Sequence, residues 1–145
     1  MDKVIQSEKL FYRSNQQSND IALKDVSKDF LASIVAIEDH RFYSHRGFDP
    51  IGILRAVKAN VLEGGKSEGA STITQQYARL MFLTNEKTWS RKITEAFLTT
   101  RLEAHYDKDT ILQGYINTVY FGHGIYGIKN ASRYYFNKDP KNRFK

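Results

Sequence analysis

The chemistry-bearing residues of this chain gather first in Glu38-Asp39-His40-Arg41-Phe42-Tyr43-Ser44-His45-Arg46-Gly47, where two adjacent carboxylates close an apolar run and are followed by aromatic and basic residues. Acids are rarely buried without a partner. A solvated helix end accounts for such a pair, whereas a carboxylate desolvated against an apolar helix face becomes a better base. A second group is Ala70-Ser71-Thr72-Ile73-Thr74-Gln75-Gln76, just before Tyr77-Ala78-Arg79-Leu80-Met81-Phe82-Leu83. Its hydroxyls fall where a helix is predicted to start, and the unpaired N–H groups of such a start serve either as a capping site or as a seat for an anion. In a third group, Arg91 stands four residues and Lys92 three residues before Glu95, a spacing that a solvated ion pair explains.

The elements that must carry these groups read as helices. Ser27 is a good N-cap for a helix through Phe30, Leu31, Ile34, Val35 and Ile37, which brings Glu38 to the edge of a core at the helix C-terminus. Asp49-Pro50 is a strong helix start. The helix it opens carries Ile51, Ile53, Leu54, Val57, Ala59, Val61 and Leu62 with only Arg55 and Lys58 as charges, so it is buried or lies against something apolar. Glu63 to Gly69 holds three glycines and predicts a mobile loop. From Thr88 a helix of about eighteen residues is predicted, with Trp89, Ile93, Ala96, Phe97, Thr100 and Leu102 as most of its apolar surface. Asp107 caps another through Ile111, Leu112, Tyr115, Ile116 and Val119, and a glycine-rich turn from Gly122 to Gly127 leads into a last helix through Ile128, Ala131, Tyr134 and Tyr135. No clean strand alternation runs beyond a few residues, so the fold class is all-α. Residues 1–26, with a short apolar patch at Leu10, Phe11 and Tyr12, read as an N-terminal linker or extension, and regular structure is expected from Ser27.

With 145 residues and 16.8 kDa the chain suits one hydrophobic core and one domain. Twenty-two Lys and Arg against sixteen Asp and Glu give +6, which favours phosphate-bearing or anionic partners. Nucleic acid, anionic lipid and a pyrophosphate substrate all fit that charge. No helix presents a continuous basic stripe and no nucleic-acid motif occurs, which disfavours nucleic acid. The absence of cysteine removes a disulfide scaffold and a zinc-thiolate site and suits either redox compartment. No apolar run approaches the roughly 18 residues that span a bilayer, and the first twenty residues are too polar for a signal peptide, so a membrane anchor is expected to lie outside this chain.

Taken together, four segments resemble the glycosyltransferase domain of bifunctional penicillin-binding proteins and monofunctional peptidoglycan glycosyltransferases. They are Glu38-Asp39 with Phe42, His45 and Gly47; Gly69-Ala70-Ser71-Thr72-Ile73-Thr74-Gln75-Gln76; Arg91-Lys92-Ile93-Thr94-Glu95; and Lys108, Ile111-Leu112, Tyr115 and Asn117, followed by Val119-Tyr120-Phe121-Gly122 and Tyr126-Gly127. They follow the family's order over residues 34–136. The resemblance implies an α-helical, lysozyme-like domain over residues 27–145, with a larger head and a small membrane-associated jaw at 50–70 flanking a long cleft. It also implies polymerisation of lipid II by inversion, with undecaprenyl pyrophosphate released, at the outer face of the bacterial cytoplasmic membrane. Lipid II, the growing glycan chain on undecaprenyl pyrophosphate and the membrane surface are the implied partners, with cell-wall synthesis or division proteins beside them.

By the same match Glu38 is the base and Glu95 the second essential carboxylate, positioning the pyrophosphate or its divalent cation, Mg or Mn; no organic cofactor is implied. Asp39 would stay ionised and hold nearby donors. Arg41 and His45 would help organise the segment, and Asp39, Arg41, Phe42 and His45 would bind substrate together with Ser71, Thr72, Gln75, Gln76, Arg79, Arg91, Lys92 and Asn117. Arg79 stands where the family usually has a phosphate-binding lysine, which keeps the charge and changes its geometry. The chain ends before the helices that complete the family's head, so a C-terminally truncated or compact domain is expected, and no penicillin-binding region is included. Two rivals predict other outcomes: a non-catalytic lipid-pyrophosphate binding module, and a glycan-cleaving muramidase or lytic transglycosylase.

Overall fold

Caps in the sequence become helix starts in the structure. The computed structural model describes residues 20–62, 69–81 and 88–140. Among these residues are a 3-10 turn, Leu23–Asp25, and six α-helices: α1 (Lys28–Asp39), α2 (Pro50–Leu62), α3 (Ile73–Met81), α4 (Trp89–His105), α5 (Lys108–Thr118) and α6 (Ile128–Phe136). Ser27 Oγ accepts from Phe30 N at the head of α1, Thr88 Oγ1 from Arg91 N at α4 and Asp107 Oδ1 from Thr110 N at α5, each satisfying an N–H that the helix leaves unpaired. The only β feature among the described residues is an isolated bridge between Tyr120 and Tyr126. The all-α expectation therefore stands, and residues 63–68 of the loop predicted from Glu63 to Gly69, with the segment 82–87, lie outside the described residues.

The core forms where α3 packs against α4 and α5. Ile111, Leu112, Tyr115 and Ile116 of α5 are each at most 1% exposed, and Ile73, Tyr77, Ala78, Leu98 and Leu102 close around them. Gly114 permits this approach, since a Cβ there would collide with the Tyr77 ring. The helix α3 begins at Ile73, so Thr74, Gln75 and Gln76 lie in its first turn rather than ahead of it.

One boundary differs from the expectation. Ile21 and Val26 belong to the core, and Asn117 fastens the backbone of Ile21 by donating to its carbonyl and accepting from its N–H, both at 3.0 Å. Residues 20–26 thus pack with the domain, because a clasp on α5 and two apolar side chains hold them there. The bounds of α2 are as expected, and its apolar residues are bare: Ile51, Ile53, Leu54, Val57, Val61 and Leu62 are all exposed, and only Gly52 and Ala56 are buried. Among the described residues α2 makes no extensive packing with another helix.

Candidate active site

A cleft of about 520 Å³ opens between the end of α1, the first half of α2 and the start of α3, with Glu38, His40, Asp49, Arg55 and Ser71 among its polar lining. The last turn of α1 sends its two carboxylates in opposite directions, since consecutive helical residues point about 100° apart. Glu38 is exposed at the lip of this cleft, where its Oε2 accepts a 3.1 Å hydrogen bond from Gln76 Nε2. The amide of Gln76 in turn accepts at Oε1 from the Tyr115 hydroxyl, 3.0 Å away. Glu38 therefore reaches solvent rather than resting against an apolar face.

Asp39 turns inward. Its Oδ2 accepts from His45 Nε2 at 2.7 Å and from the Ile73 N–H at 3.0 Å, and both side chains of the pair are 3% exposed. Gly47 N donates to His45 Nδ1, so that nitrogen is the acceptor and Nε2 carries the proton given to Asp39. Gly47 occupies φ +95°, a conformation glycine tolerates, and a Cβ there would press on Thr99 Cγ2 at 2.8 Å. Its carbonyl accepts from Thr72 Oγ1, at 2.6 Å. Thr72 and Gln75 form a reciprocal capping box: Thr72 N donates to Gln75 Oε1 and Gln75 N to Thr72 Oγ1. The N-terminus of α3 is consequently satisfied from within by Asp39 and Thr72 and is not an open anion seat.

Neighbouring groups lock the same segment. Phe42 is fully buried, with the Lys108 ammonium 4.6 Å from its ring centroid. Lys108 also donates to Glu103, which accepts from Thr74 Oγ1 on α3. Arg41 Nε donates to Asp49 Oδ1 at 3.1 Å. Burial would push the Asp49 carboxyl up, but the Gly52 N–H, the Arg41 guanidinium and His45 together hold it below the ordinary aspartate range.

One turn along α3 from Gln76, Arg79 reaches the second glutamate. Its Nε and Nη2 donate to the two oxygens of Glu95 at 3.1 and 3.0 Å, a bidentate fork, and Nη2 also lies 3.3 Å from Ser71 Oγ. The hydrogen bonds to Glu95 hold Arg79 more firmly protonated than an ordinary arginine. This fork replaces the Arg91–Glu95 pair that helical spacing suggests. Arg91 instead has its Nε buried with no hydrogen-bond partner, and Lys92 sits over the Trp89 ring at 5.4 Å.

Of the residues expected at the site, Glu38, Gln76, Ser71, Arg79 and Glu95 are brought together along α3. Phe42 and His45 are buried beneath the cleft, Thr72 and Gln75 form the cap, and Asn117 is engaged with Ile21 and Gln113 on the far side of α5. Sequence reasoning gave no site role to Tyr115, which sits at an apolar register position of α5; a tyrosine there, rather than a leucine, was the available signal that a buried polar tip needs a partner. The expected Mg or Mn ion finds no cage, since among the described residues no three His, Asp or Glu side chains converge, Asp39 faces inward and Arg79 holds both Glu95 oxygens.

The all-helical architecture, with an exposed glutamate at the lip of a polar cleft and a second glutamate on α4 forked by Arg79, is that of the lysozyme-like class. The chain belongs to the transglycosylase family, whose model matches residues 3–143. It is 53% identical over 122 residues to penicillin-binding protein 2D of Bacillus subtilis (strain 168), covering 84% of this chain and 18% of that protein. Similarity to penicillin-binding protein 1A of Escherichia coli (strain K12) is 45% over 118 residues, covering 81% of this chain and 14% of the relative. Penicillin-binding protein 1F of Bacillus subtilis (strain 168) is 46% identical over 130 residues, or 90% of this chain and 18% of its own length. The chain thus spans less than a fifth of the length of these curated relatives.

Proposed function

We propose that this domain is an inverting peptidoglycan glycosyltransferase that joins lipid II units into β-1,4-linked glycan strands at the outer face of the bacterial cytoplasmic membrane. The observation that carries the reading is the placement of Gln76 and Arg79, three residues apart on α3, which hold Glu38 and Glu95 on one side of the helix. Glu38 accepts the proton of the acceptor's GlcNAc 4-hydroxyl while that oxygen bonds to C1 of the donor's MurNAc. The bond from C1 to the phosphate oxygen breaks, and undecaprenyl pyrophosphate leaves with the electron pair. Its developing charge calls for cations, and Arg79, Arg91 and Lys92 supply them with Ser71 as a hydroxyl donor. Glu95 orients the Arg79 guanidinium rather than holding an ion of its own. The bare apolar face of α2 supports its reading as the jaw that rests on the membrane.

The test is glycan formation from labelled lipid II in detergent by the chain and by Glu38→Gln, with products separated by length. Polymer from the parent alone is expected. Polymer at the parental rate from folded Glu38→Gln would remove Glu38 from the chemistry, and lipid II binding without polymer by a folded parent would favour a binding module.

A further inference from the structure

We propose that Tyr115 is a positioning residue for the Glu38 carboxylate, acting through the side-chain amide of Gln76. The inference rests on the reading of Glu38 as the base.

An amide has one donating end and one accepting end, and its orientation here is determined from both sides. An ionised carboxylate only accepts, so Gln76 must turn Nε2 toward Glu38, which leaves Oε1 facing α5. There the Tyr115 hydroxyl, 3.0 Å away, donates to it. Burial, with the Glu38 charge adding to it, pushes the Tyr115 hydroxyl above the ordinary tyrosine value, so it remains a donor. A phenylalanine at this position would leave Oε1 without its partner and the amide held from the Glu38 side alone.

The anchor is rigid where the base is not. Tyr115 is 1% exposed, and its helix neighbours Ile111, Leu112 and Ile116 are at most 1% exposed, whereas Glu38 stands in solvent. Gly114, next to Tyr115 on α5, lets the Tyr77 ring of α3 come close, since a Cβ there would collide with it. The core is in this way connected to the reacting group through two hydrogen bonds. They also divide the two carboxylate oxygens: Oε2 is occupied by Gln76, and among the described residues no hydrogen bond is made to Oε1. The unoccupied oxygen is the one available to the acceptor hydroxyl. Gln76, which reads from the resemblance as a substrate contact, becomes the joint of the relay.

A double-mutant cycle on lipid II polymerisation tests this, using the parent, Tyr115→Phe, Gln76→Met, the double variant and Glu38→Gln, each checked for an unchanged thermal transition. Tyr115→Phe keeps the packed ring and removes one hydroxyl. It is expected to lower kcat roughly three- to tenfold, the worth of one hydrogen bond, with KM for lipid II unchanged. In the Gln76→Met background the same substitution is expected to cost nothing further. Parental kcat in Tyr115→Phe, or an equal loss in both backgrounds, overturns the relay while leaving the Glu38 reading intact. Parental polymerisation by Glu38→Gln overturns that reading first, and the relay falls with it. Should Tyr115→Phe melt early, Gln76→Met alone must still lower kcat with KM unchanged, and its failure to do so also overturns the relay.

Discussion

Glu38 and Asp39 are neighbours in sequence and share a functional group, yet they occupy opposite regions of the molecule. At the cleft lip, Glu38 is exposed, held at one oxygen by an amide that is itself held from the core. In the interior knot, Asp39 is nearly inaccessible and binds His45 and the first amide of α3. One residue's rotation around α1 separates a group left available for proton transfer from a group consumed in building the site. The difference teaches that an acidic pair at a helix end need not be a catalytic pair, because the inner carboxylate can serve as the mount of the outer one.

Exchanging the roles is the most direct way to break that contrast. Glu38→Gln is expected to reduce polymerisation by about 10²–10⁴-fold, the usual worth of a general base, with no change in thermal transition. Asp39→Ala should do the reverse at the level of the fold. Leaving His45 and the Ile73 N–H without their partner costs about 3 kcal/mol or more of unfolding free energy, read by urea denaturation. A fully stable Asp39→Ala would dissolve the distinction between lip and knot. The contrast is sharpened by Arg79→Lys, which retains the charge beside Glu95 but loses the fork; a fall of about tenfold in kcat/KM, with stability nearly unchanged, is expected.

The smallest effect concerns Asp49, whose carboxyl titrates below its ordinary value in the fold. The stability it contributes is present above the unfolded-chain value, near pH 4, and is lost as pH falls through the lower folded value. Asp49→Asn should therefore flatten the acid-side decline of the melting temperature below about pH 4, where the parent loses stability. A slope identical to the parent's would show that the knot draws no acid sensitivity from this residue.

Helix positions were legible wherever a capping residue precedes an apolar periodicity, as at Ser27, Asp107 and Thr88. Partner choice was less so. Arg91 and Glu95 satisfy the local rule for a helical ion pair, yet Glu95 pairs with Arg79 across the α3–α4 packing, because a tertiary fork with two parallel hydrogen bonds outcompetes a one-turn contact. The roles of Thr72 and Asn117 also depend on tertiary approach: the Gly47 carbonyl and the Ile21 backbone arrive from 25 and 96 residues away. Hydropathy likewise left α2 either buried or lying against something apolar, and in the structure its apolar face is bare while that of α5 lies in the core. Periodicity says that a face will be covered, not by what.

The Asn117 clasp has a consequence for the order of events at the ribosome. Its two halves are separated by 96 residues, so closing that loop costs on the order of 4 kcal/mol of chain entropy before the hydrogen bonds offset it. At ordinary elongation rates Ile21 is synthesised about 5–20 s ahead of Asn117. Ile21 thus cannot be clasped until Asn117 has emerged, and through that interval a nascent chain carries it without this partner, within reach of chaperones.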